Sequence, residues 1–225
     1  MVIKSNVVQP KADFEDLILD KDKVGLELKN ETTKFDELQR ILSKENRVVV
    51  ELNQKLPDLI SGQILINCDP VNNHDFLIGI SKVIIKSNLT PLIILTSTNY
   101  KTIMGLLNVN KIDLDKVFLV DTVSKNISIV KESDKLFFVD SLRNLTQLQI
   151  KLFKLINSNK VVFVFDSIDV LNLYHSEKTI FKFVYSLAKL MRKFKTNGFY
   201  IVNNKSLIQK VGQFCDDIIE IGKID

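Results

Sequence analysis

The chain has 225 residues, 45% of them hydrophobic and 26% charged, and a formal net charge of +4, which is the composition of an ordinary globular protein. Seven glycines and four prolines are too few for a collagen-like or disordered chain. No apolar run approaches the roughly 20 residues that a membrane span needs, and the first residues lack the apolar stretch of a signal peptide, so we expect a cytoplasmic protein. Cys68 and Cys215 form no metal-binding spacing, which favours two reduced thiols.

The first 60 residues predict an N-terminal arm and helix, separate from the rest of the chain. Residues 33–56 carry a heptad-like apolar stripe that is compatible with one long amphipathic helix, able to form a partner-binding coiled coil. The β-branched run Val48-Val49-Val50 instead favours a helix over about 33–45 followed by a short strand. We prefer this helix–strand interpretation and keep the long helix as the alternative.

Residues 61–225 alternate between short apolar runs and helical segments. The apolar runs are continuous, which predicts strands that are buried on both faces: QILINC, PLIILTS, KVFLVDT, KVVFVFDS, GFYIVNN and DIIEIG. The helical segments are DFLIGISKVIIKS, NYKTIMGLLN, LRNLTQLQIKLFKLIN and SEKTIFKFVYSLAKLMRKF, and for the last we predict Ser176 as N-cap and Gly198 as stop signal. NISIVKESDKLFFVDS predicts an inserted hairpin or an edge strand. The alternation predicts an α/β domain with helices on both faces of a mostly parallel sheet.

Small polar or acidic residues end the predicted strands, at the sheet edge where α/β proteins bind ligands. Turn formation and helix capping explain most of them equally well. Asp121 and Asp166 fit that explanation least. Two carboxylates at neighbouring strand ends suit a hydrated Mg²⁺ or hydrogen bonds that order adjacent loops, and both interpretations stay open.

The segment VVFVFDSIDVLNLYHSEKTIFKFVYSLAKLMRKFKTNGFYIVNN resembles the Walker B half of RecA/KaiC-like (RadA-related) P-loop ATPases. Asp166 and Ser167 match the Walker B position, and LIILTSTNYKTIMGLLNVNKIDLDKVFLVDTVS is similar to the family's second strand, its helix and its third strand. The resemblance covers about residues 62–223 and implies a RecA-like three-layer α/β/α fold. If a nucleotide with Mg²⁺ is bound, the implied site residues are Asp166, Ser167, Asp121, Thr96 and Ser97.

The phosphate loop of that family should fall at residues 69–75, which predict a degenerate loop. The glycines and the lysine that cradle phosphates are missing, and the residues present are Asp69, Pro70, Val71, Asn72, Asn73, His74 and Asp75. Pro70 removes an N–H donor, the two carboxylates repel an anion, and His74 is interpreted as a solvated turn residue. Ser97-Thr98-Asn99 stands where the family carries acidic residues that activate water. We therefore predict no catalytic residue and no resident metal.

The favoured hypothesis is a non-catalytic regulatory or scaffold protein that binds a protein partner or copies of itself, without a cofactor. An alternative is an atypical nucleotide-binding protein or weak ATPase, in which Asp166 and Asp121 hold Mg²⁺ and Thr96 or Ser97 contacts phosphate. A third hypothesis is a nucleic-acid-associated module that uses the basic face of the 176–195 helix, although the lysines are scattered along the chain.

Overall fold

Parallel strands form the centre of the domain in the computed structural model, which describes residues 49–52, 62–126, 132–158 and 161–221. In these ranges seven strands make one sheet in the order β4-β3-β2-β5-β6-β1-β7, and every pairing is parallel. The strands are β1 Gln63–Asn67, β2 Thr90–Leu95, β3 Phe118–Asp121, β4 Leu136–Phe138, β5 Val161–Phe165, β6 Gly198–Ile201 and β7 Asp217–Glu220. The helices are α1 Asn73–Lys86, α2 Tyr100–Val109, α3 Leu145–Ser158, α4 Glu177–Phe194 and α5 Lys205–Val211.

Two apolar cores cover the two faces of this sheet. Helices α3, α4 and α5 pack on one face, and α1 and α2 pack on the other. Successive residues of a strand point to opposite faces, so Leu92 of β2 lies in the first core and Ile93 lies in the second. This arrangement explains why the strands read as continuous apolar runs, and it confirms the predicted three-layer α/β fold.

Most of the predicted elements are confirmed. The six apolar runs form β1, β2, β3, β5, β6 and β7, and the four helical segments form α1 to α4. The predicted hairpin or edge strand contains β4, which pairs in parallel with β3 at the edge of the sheet, while residues 127–131 lie outside the described residues. Helix α5 was not predicted. Within the described ranges no helix is long and apolar enough to cross a membrane.

The preferred strand at Val48–Val50 was wrong for the two residues that can be compared. Val49 and Val50 are helical, in a segment that continues to Leu52. Leu52 is fully buried in the core on the α1–α2 face, and Val49, three residues earlier, packs against the same core. Burial of this helical face outweighs the few tenths of a kcal/mol by which β-branched residues disfavour a helix. The predicted helix over 33–45 and the predicted domain boundary near residue 60 lie outside the described residues.

Helix α4 ends before Gly198, the residue that was predicted to stop it. Its C-cap is Lys195, which adopts the left-handed conformation with φ 54° and ψ 42°. Gly198 lies in β6 instead, where a Cβ would come within 2.5 Å of the Gln63 Oε1 and 2.7 Å of the Met191 Sδ. Close packing against these side chains therefore accounts for the glycine.

Candidate functional site at the carboxyl ends of the strands

The strand order brings the predicted site residues to one edge of the sheet. Asp121 ends β3 and Asp166 follows β5, and β2 lies between these two strands. The prediction that the two carboxylates sit on neighbouring strands was therefore wrong. They stand instead on opposite sides of residues 96–99, the β2–α2 loop, which connects β2 to α2.

Asp166 holds the β2–α2 loop from the β5 side. Its Oδ1 accepts hydrogen bonds from the N–H of Thr96 (2.8 Å) and from the Thr96 hydroxyl. Its Oδ2 accepts from the N–H of Ser97 (3.0 Å), the Ser97 hydroxyl (2.8 Å) and the N–H of Thr98 (3.3 Å). Three consecutive backbone N–H groups thus converge on one carboxylate that is 1% exposed.

Asp121 holds the end of the same loop from the β3 side. Its Oδ2 accepts from the N–H of Tyr100 (2.8 Å), the first residue of α2, and from the Ser124 hydroxyl (2.6 Å). Its Oδ1 accepts from the N–H groups of Val123 (2.7 Å) and Ser124 (2.8 Å) in its own loop. Asp121 is fully buried, so one side chain orders two adjacent loops.

These contacts leave little capacity for a metal ion. A carboxylate has about four lone-pair sites. Asp166 is within hydrogen-bond distance of three N–H groups and two hydroxyls, and Asp121 of three N–H groups and one hydroxyl. Among the described residues no group of three His, Cys, Asp or Glu side chains is arranged to hold a metal. The residues implied as Mg²⁺-nucleotide ligands are therefore brought together, but they bind one another and the loop, and this donor set does not fit Mg²⁺.

The electrostatics of Asp166 follow from the same contacts. Burial raises the pKa of Asp166, and the hydrogen bonds from Thr96 and Ser97 act in the opposite direction. Three of the five groups that face the carboxylate are backbone N–H donors, whereas the Thr96 and Ser97 hydroxyls can donate or accept. The Thr96 hydroxyl also lies 2.7 Å from the carbonyl oxygen of Ser167 and can donate its single hydrogen there. The three N–H groups stabilise the ionised carboxylate by charge-assisted hydrogen bonds, and burial opposes that ionisation more strongly.

A third carboxylate, Asp169, was missed by the sequence analysis. Its two oxygens accept from the N–H groups of Asn203 (2.7 Å) and Asn204 (3.1 Å), which connect β6 to α5. Burial raises the pKa of Asp169, and these two N–H groups oppose the rise. The available signal was the spacing Asp166-Ser-Ile-Asp169, which places a second acid next to the end of a neighbouring strand. The β2–α2 loop and the connection from β6 to α5 are thus each held by a carboxylate at the end of an adjacent strand.

The turn between β1 and α1 contains the predicted degenerate phosphate loop. Asp69 caps a 3₁₀ turn over Pro70–Asn72, and its Oδ1 accepts from the N–H of Val71 (3.0 Å). Asn72 is buried, and the Asn73 Oδ1 accepts from the Cys68 thiol (3.4 Å). An N–H group that could face an anion is therefore directed at the side chain of Asp69.

One contact connects this turn to the β2–α2 loop. The Nε2 of His74 lies 3.0 Å from the Thr98 hydroxyl, and both side chains reach the surface. His74 thus has a hydrogen-bond partner on the β2–α2 loop and is not only a solvated turn residue. Through Thr98, whose N–H also binds Asp166, the two predicted halves of the site are joined.

Comparison with known proteins adds information about the fold. No protein-family model and no curated protein matches the sequence. An uncharacterised protein from Pyrococcus horikoshii, crystallised with an unknown peptide, has a TM-score of 0.60 at 15% identity, over 80% of this chain and 84% of that chain. A KaiC-like protein from the same organism has a TM-score of 0.50 at 12% identity, over 72% of each chain. Another P. horikoshii protein has a TM-score of 0.50 at 12% identity, over 76% of this chain and 87% of that one.

At such identities the likeness concerns the fold alone. The chain shares its α/β fold with the KaiC-like protein, and this agrees with the fold that the Walker-B-like segment predicted. The fold carries no particular chemistry with it, so function has to be argued from the residues at the strand ends and on the surface.

Proposed function

We propose that this is a non-catalytic regulatory or scaffold protein with a RecA/KaiC-like fold, which acts by binding a protein partner. The observation that carries the proposal is the saturation of Asp166 and Asp121 by donors of the β2–α2 loop and its neighbours. A carboxylate that orders a loop in this way serves the fold, whereas a Mg²⁺ ligand needs an open lone pair.

The turn after β1 supports the same proposal. We interpret residues 69–75 as a phosphate loop that has lost its function, because Asp69 itself accepts the N–H of Val71 and Pro70 has no N–H. Asp75 adds a second acidic residue in the first turn of α1. An anion at this turn would meet negative charge where a phosphate loop offers donors.

Exposed apolar side chains favour a partner-binding role. Ile150 and Phe153 of α3 are 54% and 42% exposed, and both lie on one helix face. The uncharacterised P. horikoshii protein with the same fold was crystallised with a peptide. Peptide or protein binding through a helical surface is consistent with both observations.

The absence of nucleotide chemistry is tested with Mg-ATP and the full chain. We expect no saturable heat in calorimetry, no phosphate release and no rise in the melting temperature, since any ligand of the native state would raise it. Ser97→Ala and Asp166→Asn are compared with the parent protein, and circular dichroism verifies that each is folded. Ser97→Ala removes one hydroxyl and leaves the carboxylate.

Saturable hydrolysis of Mg-ATP that falls in folded Ser97→Ala or Asp166→Asn would overturn the proposal in favour of the weak-ATPase alternative. Asp113→Asn is the matched control, because Asp113 caps an exposed turn through a single hydrogen bond from the N–H of Asp115. Hydrolysis that is equal in all four proteins would indicate a contaminating enzyme and would leave no activity to assign to the strand ends.

A further inference from the structure

An apolar groove lies between α3 and α4, on the face of the sheet that α3, α4 and α5 cover. Its volume is about 240 Å³, and its lining is Thr146, Gln149, Ile150, Phe153 and Leu190. The α3 residues of this set follow the spacing 146, 149, 150, 153, which places them on one helix face. We call this feature the α3–α4 groove.

Two side-chain contacts connect α3 and α4 at the groove. The Nε2 of Gln149 donates to the Ser186 hydroxyl (2.5 Å), which connects α3 to α4 beside the groove. The rings of Phe153 and Phe194 meet edge to face, with their centroids 5.7 Å apart. Ile150 is nevertheless 54% exposed, so the groove presents apolar surface without being filled by the chain's own described side chains.

Positive charge lines the α4 side of this apolar surface. Lys182 and Lys189 flank Ser186 at four and three residues, and Lys193 follows Leu190 by three, so all three lie along the α4 rim of the groove. Among the described residues neither Lys182 nor Lys189 has an ion-pair partner. Helix α3, Leu145–Ser158, contains no acidic residue.

We propose that the α3–α4 groove binds an acidic amphipathic helix of a protein partner. Bulky apolar side chains spaced three or four residues apart would enter the groove at Ile150, Phe153 and Leu190, as in other helix-in-groove complexes. Glutamates or aspartates on the flanks of that helix would meet Lys182 and Lys189. The inference deepens the proposed function, since it rests on a protein partner and names its chemistry.

The observations favour this occupant over two others. A nucleic acid would need free stacking faces next to the lysines. The exposed aromatic rings nearest to them, Phe153 and Tyr185, pack against Phe194 and Phe214, and the rest of the groove lining is aliphatic or neutral polar. A second copy of this chain, joined groove to groove by a two-fold axis, would bring the two lysine rims together. The like charges oppose that contact, while an acidic helix complements them.

The test begins with selection of helical peptides from a random display library on the full-length protein. We expect enrichment of acidic sequences with apolar residues at a spacing of three or four. A fluorescein-labelled consensus peptide is then titrated by fluorescence anisotropy. Ile150→Glu should weaken binding by about tenfold or more, Lys182→Glu/Lys189→Glu should do the same, and added salt should weaken the parent interaction.

Matched control variants place the same changes at exposed residues on the other face of the sheet. Val109→Glu introduces a carboxylate at a residue that is 79% exposed on α2, and Lys101→Glu/Lys116→Glu reverses two exposed lysines on that side of the sheet. Both should bind the peptide like the parent. No enrichment, a neutral or basic consensus, or equal binding by all four variants would overturn the inference.

Two further measurements test whether a nucleic acid or a second copy of the chain occupies the groove. Binding of an oligo-dT strand that needs Lys182 and Lys189 but not Ile150, without peptide enrichment, would overturn the proposal in favour of nucleic acid. A dimer in light scattering that Ile150→Glu dissociates would do so in favour of a second copy. Mg-ATP hydrolysis is measured separately, so a failure of the non-catalytic proposal and a failure of the groove proposal give different results.

Discussion

Asp166 brings a negative charge to the end of a buried strand, where an unpaired charge would cost several kcal/mol. Its five hydrogen-bonding partners are three N–H groups and two hydroxyls of Thr96, Ser97 and Thr98, about 70 residues earlier in the chain. The same hydrogen bonds satisfy backbone N–H groups of a loop that has no secondary structure of its own to satisfy them. The acid and the loop therefore stabilise each other, which explains the residue without a ligand.

Replacing Asp166 by asparagine tests this role. The amide keeps one acceptor oxygen but directs its NH₂ group toward donors, either at Ser97 and Thr98 or at Thr96. We expect the free energy of unfolding to fall by about 3 kcal/mol, since buried donors lose a charged acceptor. Urea denaturation followed by circular dichroism measures the loss. Asp113→Asn, at an exposed cap, should change stability by less than about 0.5 kcal/mol, and equal losses in the two variants would contradict the interpretation.

The two cysteines give a prediction about pH. Burial, reinforced by neighbouring acids, raises the pKa of Cys68 to about 12, and burial raises that of Cys215 to about 12. Thiolate is the reactive form, so disulfide exchange with Ellman's reagent at pH 8 should be about a thousandfold slower in the folded protein than in urea. Cys68→Ser leaves Cys215 alone and separates the two rates. A cysteine that reacts in the folded protein as fast as in urea would show that its thiol is accessible to solvent and not buried.

The same pKa values fix the direction of the pH dependence of stability. A thiol whose pKa is raised on folding keeps its proton in the folded state while the unfolded thiol loses it, from pH 9 upward. The two thiols therefore have no effect on the pH dependence of stability below pH 9. They lower the free energy of unfolding progressively as the pH rises from 9 toward 12.

The sequence was sufficient to predict which acidic residues stand at the ends of the strands but not which groups they contact. Strand ends are marked by local pattern, so Asp121 and Asp166 were found. Their partners depend on which strand lies between them, and that order is set by non-local pairing that no short window contains. Asp169 was missed for the same reason, because its partners are the N–H groups of Asn203 and Asn204, more than 30 residues later.

At the scale of elements, buried strands and amphipathic helices were the most predictable features. Each strand is covered on both faces, so its composition alone marks it. Helix α5 has only seven residues, Lys205–Val211, which is too short for a clear apolar period. Val49 and Val50 were misassigned because their β-branched side chains favour a strand locally, while Leu52 and the core favour a helix.

The end of α4 provides a prediction at this scale. Lys195 occupies the left-handed conformation, which costs a residue with a Cβ about 1 kcal/mol relative to glycine. Lys195→Gly should therefore raise the free energy of unfolding by up to about 1 kcal/mol. Lys189→Gly, within the same helix, should lower it by about 1 kcal/mol. Urea denaturation compares the two, and a loss of stability in both would mean that Lys195 makes a contact more valuable than its conformation costs.

At the scale of the whole molecule, charge is unevenly distributed along the chain. Residues 177–211, from α4 through α5, contain eight basic residues and one acidic residue, a net charge of +7. The whole chain carries +4, so the remaining residues together carry −3. Much of this positive charge lies on α4, next to the α3–α4 groove, while α2 lies on the opposite face of the sheet. A charge that is concentrated in this way creates a local field stronger than the net charge indicates.

Cation-exchange chromatography can separate that local field from the net charge. Lys182→Glu/Lys189→Glu and Lys101→Glu/Lys116→Glu each lower the formal charge from +4 to 0, because two lysines become two glutamates. If retention depended on net charge alone, the two variants would elute together. A protein that binds the resin through α4 should lose retention when Lys182 and Lys189 are reversed and keep most of it when Lys101 and Lys116 are reversed, because the α4 patch is then intact. Elution of both variants at the same salt concentration would contradict a dominant basic face on α4, and with it the electrostatic part of the groove proposal.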